Sequence, residues 1–433
     1  MRLIDWNAAA AADRERALLR PTQTRSAEVS ARVSEILADV RERGGEAVDD
    51  WSNRLDGAPA RRLAITDARA AEAAARVAPE DRAALKLAAG AIRHFHEADR
   101  PADGPEIETL PGVFSRRVWR PLDRVGLYVP GGTALLFSTL LMLAVPAEVA
   151  GVAERVVVTP PRRDGSVDPM IILAAREAGL EAIWLVGGAQ AVGALAYGAG
   201  LPRVDKIFGP GNAWVAEAKR QVSSEPGGPA IDLPAGPSEL LVIADEGADP
   251  DLVAADLLGQ AEHDVDAQVL LVTPSPALAR LAAEAVERRL QGLPRADIAR
   301  RSLDAAAIIL CRDPAEAVAI ANAYGPEHLS LQVRDPDALI ANVRHAGTVF
   351  AGDAAAETFG DYLAGPSHVL PTDGAARAFS GVTTAAFMKS FAVQRVSRDG
   401  LPHLAEAAGR LARLEGLEAH AQAADLRMER LRP

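Results

Sequence analysis

From Arg124 onward the chain repeats one local pattern: a short apolar run, a glycine or proline turn, then a stretch of helical composition. RVGLYVPGG (124–132), RVVVTPP (155–161), AIWLVGG (182–188) and VDKIFGPGN (204–212) open it four times. A polar, Pro/Gly-rich stretch at 223–236 separates a second series: SELLVIAD (238–245), AQVLLVTP (267–274), AAAIILC (305–311), HLSLQV (328–333) and GTVFAGD (347–353). Helices laid across both faces of a parallel sheet bury its strands on two sides, which is why such strands read as unbroken apolar runs. The pattern predicts an α/β protein with two units, each an open sheet rather than a barrel. The first hundred residues are rich in Ala, Arg and Glu, with helical spacing at 26–43 and 79–98. The stretch 353–374 reads as loop, and the chain from Leu401 reads as helix.

The bulk properties narrow the class of function. A chain of 433 residues is long enough for two packed units. Its net charge of -12 argues against a nucleic-acid surface, which needs a basic stripe. The most apolar stretch, 140–152, is broken by Pro146 and Glu148 and is too short to span a bilayer; the first residues lack a secretory pattern. The expectation is a cytoplasmic protein with no nucleic-acid or membrane partner. The one cysteine, Cys311, ends an apolar run and reads as a buried core thiol. An aldehyde oxidised through a thioester needs a reactive thiolate. Any oxidation to an acid here is therefore expected to use water.

Neither VGGAQAVG nor FGPGNAWV matches the G-x-G-x-x-G dinucleotide pattern, and a glycine turn also serves packing alone. Three such turns in one unit, with Tyr128, Gln190 and Asn212 beside them, nonetheless suit contact with a ligand. Among eight histidines, His94, His96, His345 and His403 have ordinary charged or helical neighbours and read as structural or solvated. His263, His328, His368 and His420 lie in stretches dense with Gly, Pro and carboxylates. In LLGQAEHDVD, Gln260 and His263 are three apart and share a face of an expected helix, as a ligand pair or as a polar helix end. GDYLAGPSHVLPT sets Asp361 and His368 in a Gly/Pro-rich loop, with Asp361 a carboxylate ligand or a brace and His368 a candidate substrate contact. Glu327 and His328 adjoin just after Gly325-Pro326, and a carboxylate with an imidazole suits general acid–base chemistry. Neighbours in a regular strand face opposite ways, so one site takes both only if the turn breaks that alternation. Glu415 and His420 stand five apart on an expected C-terminal helix, on loosely related faces.

In order along the chain, VGLYVPGG, GGAQAVGALAYG, FGPGN, PAGPSE, GQAEHD, YGPEHLS, GDYLAGPSHVLPT and EGLEAH resemble the histidinol dehydrogenase family, from about Thr22 to Arg427. The resemblance implies two incomplete Rossmann-like open-sheet domains with helical N- and C-terminal extensions. The expected division is an arm at 1–24, a first α/β domain from 25–125 and 237–378 with the metal and catalytic motifs, a second at 126–236 on the NAD side, and a C-terminal helical tail at 379–433. That tail would be exchanged in a homodimer. The resemblance further implies one zinc per subunit on Gln260, His263, Asp361 and His420, the last from the neighbouring subunit; manganese or cobalt would also suit these donors chemically. Tyr128, Gln190 and Asn212 match NAD contacts. Ser238, His368 and Glu415 match substrate contacts, together with His328 and the metal ligands. His328 would be the base and Glu327 the group that activates water. The implied reaction takes L-histidinol, two NAD and water to L-histidine and two NADH through a bound aldehyde, the last step of histidine biosynthesis. The alternatives are a related zinc/NAD dehydrogenase acting on another small polar alcohol, a zinc hydrolase that ignores NAD, and a non-catalytic two-lobed binding protein. The hydrolase leaves the three glycine turns without a reason. The binding protein leaves Glu327 and His328 without one.

Overall fold

A computed structural model describes residues 1–20, 27–131, 136–234 and 236–430. Gly132 of the first glycine turn and Ala235 of PAGPSE lie outside the described residues. The chain forms two compact units, one of Met1–Asp99 with Leu122–Ala386, the other of Arg100–Pro121 with Phe387–Pro433.

The larger unit holds two six-stranded sheets on one plan. The first runs Arg61–Ala64, Ala182–Leu185, Glu154–Thr159, Arg124–Tyr128, Lys206–Phe208, Ala230–Ile231. All its neighbours are parallel except the edge strand Arg61–Ala64, which pairs antiparallel with Ala182–Leu185. The second runs Arg2–Asp5, Ala307–Leu310, Gln268–Thr273, Glu239–Ala244, His328–Gln332, Thr348–Ala351, parallel throughout. In each, one strand starts the series, the next two lie on one side of it and the last two on the other. Strand order therefore reverses beside Arg124–Tyr128 and beside Glu239–Ala244, the places where open α/β sheets leave a crevice. The α/β expectation is borne out.

The expected domain division needs correction. Residues 27–98 do not join the second sheet. Val33, Ile36, Leu37 and Val40 of helix Ala27–Arg43 recur at helical spacing and bury against Val192 and Leu195 of helix Gly188–Tyr197, within the first sheet's core. Gly193 permits that approach, since a Cβ there would stand 3.1 Å from Leu37 and 3.2 Å from Val40. The N-terminal arm, in turn, supplies an edge strand of the second sheet. The tail expected to be helical from 379 has only a short 3-10 turn at Thr384–Phe387 before strand Met388–Val396. In the smaller unit it pairs antiparallel with Val113–Pro121, which pairs with Ile107–Leu110. Only then do helices Leu401–Leu414 and Glu418–Glu429 follow. No helix among the described residues is long and apolar enough to cross a membrane.

His96, expected to be an ordinary helical residue, is fully buried, its Nδ1 3.1 Å from Thr384 Oγ1 and its Nε2 without a partner. Burial pushes its pKa down to about 4, with Asp99 drawing it slightly back up. In the unfolded chain the same ring titrates near about 6.5. The unfolded state therefore takes up a proton that the folded state refuses, and stability falls as pH drops from about 6.5 towards 4. Denaturant midpoints measured across that window are expected to fall less steeply in His96→Leu than in the parent chain.

Candidate active site

A cavity of about 740 Å³ opens at the C-terminal edge of the first sheet, lined by Asp56, Tyr128, Gly131, Thr159, Gly188 and Asn212 among others. Its glycine turns are fixed from within. Gly209 has φ of 112°, and a Cβ there would meet Tyr128 O at 2.1 Å, so only glycine fits. The buried pair Lys219–Asp232 braces that turn: Gly209 N donates to Asp232 Oδ2 at 2.7 Å, and Lys219 Nζ donates to Gly209 O at 2.9 Å. Asn212 caps the next helix, its Oδ1 accepting from Trp214 N and Val215 N. At the other turn, Gly188 N donates to the Tyr128 hydroxyl at 3.1 Å, and Gly187 N and Gln190 Nε2 both donate to Asp56 Oδ2. A carboxylate thus holds the place at this helix N-terminus where a standard dinucleotide fold receives phosphate. Tyr128 and Asn212 line the cavity; Gln190 is fully buried behind them, with Oε1 unpartnered.

The second sheet gathers its reactive groups at the opposite, N-terminal edge. Gly325 ends the preceding helix in a left-handed turn, and His328 is the first strand residue. Glu327 therefore precedes the regular alternation, and both side chains are buried. The backbone of Glu239 orients the pair. Its N–H donates to Glu327 Oε2 at 2.9 Å, and its carbonyl accepts from His328 Nδ1 at 3.0 Å. That second bond places the proton on Nδ1 and leaves Nε2, buried and unpartnered, as a free acceptor. The His328 ring stacks on Phe350 at 5.9 Å. Glu239 is itself held by Arg20, whose Nε and Nη2 reach its two oxygens at 2.5 and 2.9 Å, and by Asp373 N. Burial pushes the His328 pKa down to about 3, and nearby His263 and His368 lower it further. Burial raises Glu327 well above the usual carboxylate range, with Glu239 and Asp361 adding to the rise.

Candidate ligands collect beside this pair. Helix Pro250–Ala261 ends before His263, correcting the expectation that Gln260 and His263 share a helix; His263 N closes a turn onto Gln260 O at 3.2 Å. The stretch expected to be loop contains helix Glu357–Tyr362, which sets Glu357 and Asp361 four apart on one face. Donor atoms of His263, Glu357 and Asp361 all lie within 4.8 Å of one another. Burial pushes Asp361 up to about 6, with His263 drawing it back down. His368 is aligned through both ring nitrogens, Nδ1 2.9 Å from Asp361 O and Nε2 3.1 Å from Thr139 Oγ1. Ser238 is half-buried and immediately precedes strand Glu239–Ala244.

Glu415 and His420 belong to the smaller unit and are exposed there. They do not share a helix: Glu415 caps the C-terminus of Leu401–Leu414, Gly416 turns at φ of 77°, and His420 lies in the first turn of Glu418–Glu429. Sequence reading missed Arg20, Asp56, Thr139, Glu239 and Glu357. Only Glu239 carried a signal, as the acid that closes PAGPSE. Cys311 is buried, and its burial beside Glu316 and Asp313 pushes the thiol up to about 11, so the structure supports an inert core thiol.

Comparison with known proteins agrees with this geometry. A family model described as histidinol dehydrogenase matches residues 19–428. Proteins named histidinol dehydrogenase from Xanthomonas oryzae pv. oryzae and Salmonella typhimurium are 49% and 47% identical, over 99% of this chain in each case and 99% and 98% of theirs. The crystal structure of histidinol dehydrogenase from Elizabethkingia anophelis superposes with a TM-score of 0.95 at 36% identity, covering 100% of this chain and 99% of that one. The chain belongs to the histidinol dehydrogenase family.

Proposed function

We propose that this chain oxidises L-histidinol to L-histidine in two NAD-dependent steps at one site, holding the aldehyde between them. The observation that carries the reading is the unpartnered Nε2 of His328, kept as an acceptor by the bond from Nδ1 to Glu239 O. His328 Nε2 takes the substrate's hydroxyl proton as the adjacent carbon–hydrogen bond breaks. NAD, held at the cavity lined by Tyr128 and Asn212, would supply the hydride acceptor for each oxidation. The imidazolium that forms has Glu327 and Glu357 oxygens 3.6 and 4.0 Å from Nδ1. Those carboxylates favour the charge as it develops, while burial keeps the resting ring neutral. In the second step Glu327, whose burial raises its proton affinity, takes a proton from the water that adds to the aldehyde carbon, and the His328 imidazolium gives its proton to the aldehyde oxygen, which completes the hydrate. His328, having released its first proton, takes the hydrate's hydroxyl proton as the second hydride leaves. With Cys311 buried, water rather than a thiolate is the nucleophile that adds to the aldehyde carbon.

Zinc fits the donors at this edge. Glu357 and Asp361 are carboxyl groups one helical turn apart; burial raises both pKa values and Asp361 raises that of Glu357 further, and among the described residues neither pairs with a lysine or arginine. A cation resolves both problems. Gln260, His263 and Asp361 would hold it, with His420 supplied by a neighbouring subunit. Bound zinc would supply a positive charge that orients the substrate's imidazole and amino groups. Ser238, His368 and Glu415 would complete the substrate contacts. The homodimer reading is supported by Leu411, Leu414, Leu417 and Leu426, which the smaller unit leaves exposed on its paired helices.

Purified, zinc-replete protein is expected to reduce NAD when given L-histidinol; no turnover under those conditions would remove the proposal. The nucleotide cavity has its own test. Tyr128→Phe leaves Gly188 N without its acceptor, at a cost of about 1 kcal/mol or more. The KM for NAD is expected to rise about five- to tenfold with kcat nearly unchanged, as read from initial rates. An unaltered KM would mean that the hydroxyl serves packing alone.

A further inference from the structure

A glutamine is an awkward metal ligand. Its amide has one end that binds a cation and one that repels it, and nothing intrinsic to the side chain decides which end faces the site. In this chain the Gln260 side chain is fully buried, so the choice is made by its neighbours. The group it meets is Glu357. With the amide nitrogen turned towards that carboxylate, Nε2 donates to both of its oxygens, one of them at 3.3 Å. Turned the other way, Gln260 Oε1 would face two acceptors and no donor. Burial, with Asp361, Glu327 and Asp256 nearby, raises the Glu357 pKa in the metal-free chain; a bound cation would favour the ionised form, which only accepts, so it tolerates one orientation of the amide and opposes the other.

We infer that Glu357 is a positioning residue that locks the Gln260 amide with its oxygen directed away from Glu357 and available to the cation. This rests on the zinc reading above. The arrangement explains why a buried acid stands beside the metal donors without itself being needed in the ligand set. Glu357 is four residues before Asp361 on the same short helix, so one element supplies both a ligand and the group that orients another ligand. Metal-site partners of this kind typically change affinity by about tenfold to a hundredfold when lost.

The test is a double-mutant cycle read as zinc affinity, by competition with a chromophoric chelator on the full-length protein. Glu357→Gln keeps the shape but lets the facing amide present either end to Gln260, and is expected to weaken zinc binding about tenfold to a hundredfold. In a Gln260→Ala background the same change is expected to cost less than about twofold, because there is no amide left to orient. Glu357→Asp retains an acceptor-only group and is expected to lose less affinity than Glu357→Gln. It also provides a second reading if the glutamine variant folds poorly. Equal losses in both backgrounds would make Glu357 a ligand in its own right and overturn the inference, as would wild-type affinity in Glu357→Gln. A parent chain that takes up no zinc would instead defeat the metal reading itself.

Discussion

His328→Ala is expected to lower kcat for histidinol oxidation by about 10³- to 10⁴-fold, while zinc content and the KM for NAD stay near their parent values. The size follows from the geometry. Nε2 is the buried acceptor left free at this edge, and removing it takes away the base proposed for the hydroxyl proton of both alcohol and hydrate. In the proposed reaction the same nitrogen serves each oxidation, so both should fall together. Metal analysis alongside steady-state rates checks the assignment. Loss of zinc, rather than of turnover with zinc retained, would mean that His328 holds the metal.

Glu327→Gln is expected to divide the reaction. The amide oxygen of the new side chain still accepts from Glu239 N, so the local fold should survive. In the proposed reaction the first oxidation uses His328, which loses the Glu327 charge but keeps Glu357 beside it, so this step should slow far less than the second. The second needs a base for water and should slow by about 10²- to 10⁴-fold. A rapid-mixing experiment should therefore show a burst of one NADH per site followed by a slow phase, and an aldehyde intermediate should accumulate. Equal slowing of both phases would place Glu327 in the first proton transfer instead.

The reactive pair was legible because Glu327 and His328 sit in a short, unusual sequence, and the Gly325-Pro326 turn before them hinted that strand alternation would not hold. What orients them was not legible. Glu239 acts through its backbone N–H and carbonyl, which every residue possesses, and its role depends on parallel register between Leu240 and His328. Arg20 comes from more than 200 positions away to hold Glu239, a contact that no local pattern encodes. Glu357 is hidden because the composition of the 353–374 stretch reads as loop. A six-residue helix with glycine in it has too little periodicity to show. The glycine turns were read correctly as strand ends, but not their filling: Asp56 reaches Gly187 from a helix 131 positions earlier. The helical segment 27–98 was misplaced for the same reason, since its apolar stripe specifies that it packs and not on which sheet.

In the proposed reaction one neutral imidazole and one buried carboxyl group carry a single substrate through two successive oxidations. The direct measurement counts NADH against histidine formed from L-histidinol, in the presence of a nucleophile such as semicarbazide that captures free aldehyde. Two NADH per histidine with no captured aldehyde is the expected result. One NADH per histidinol consumed, with the trapped aldehyde as product, would contradict it.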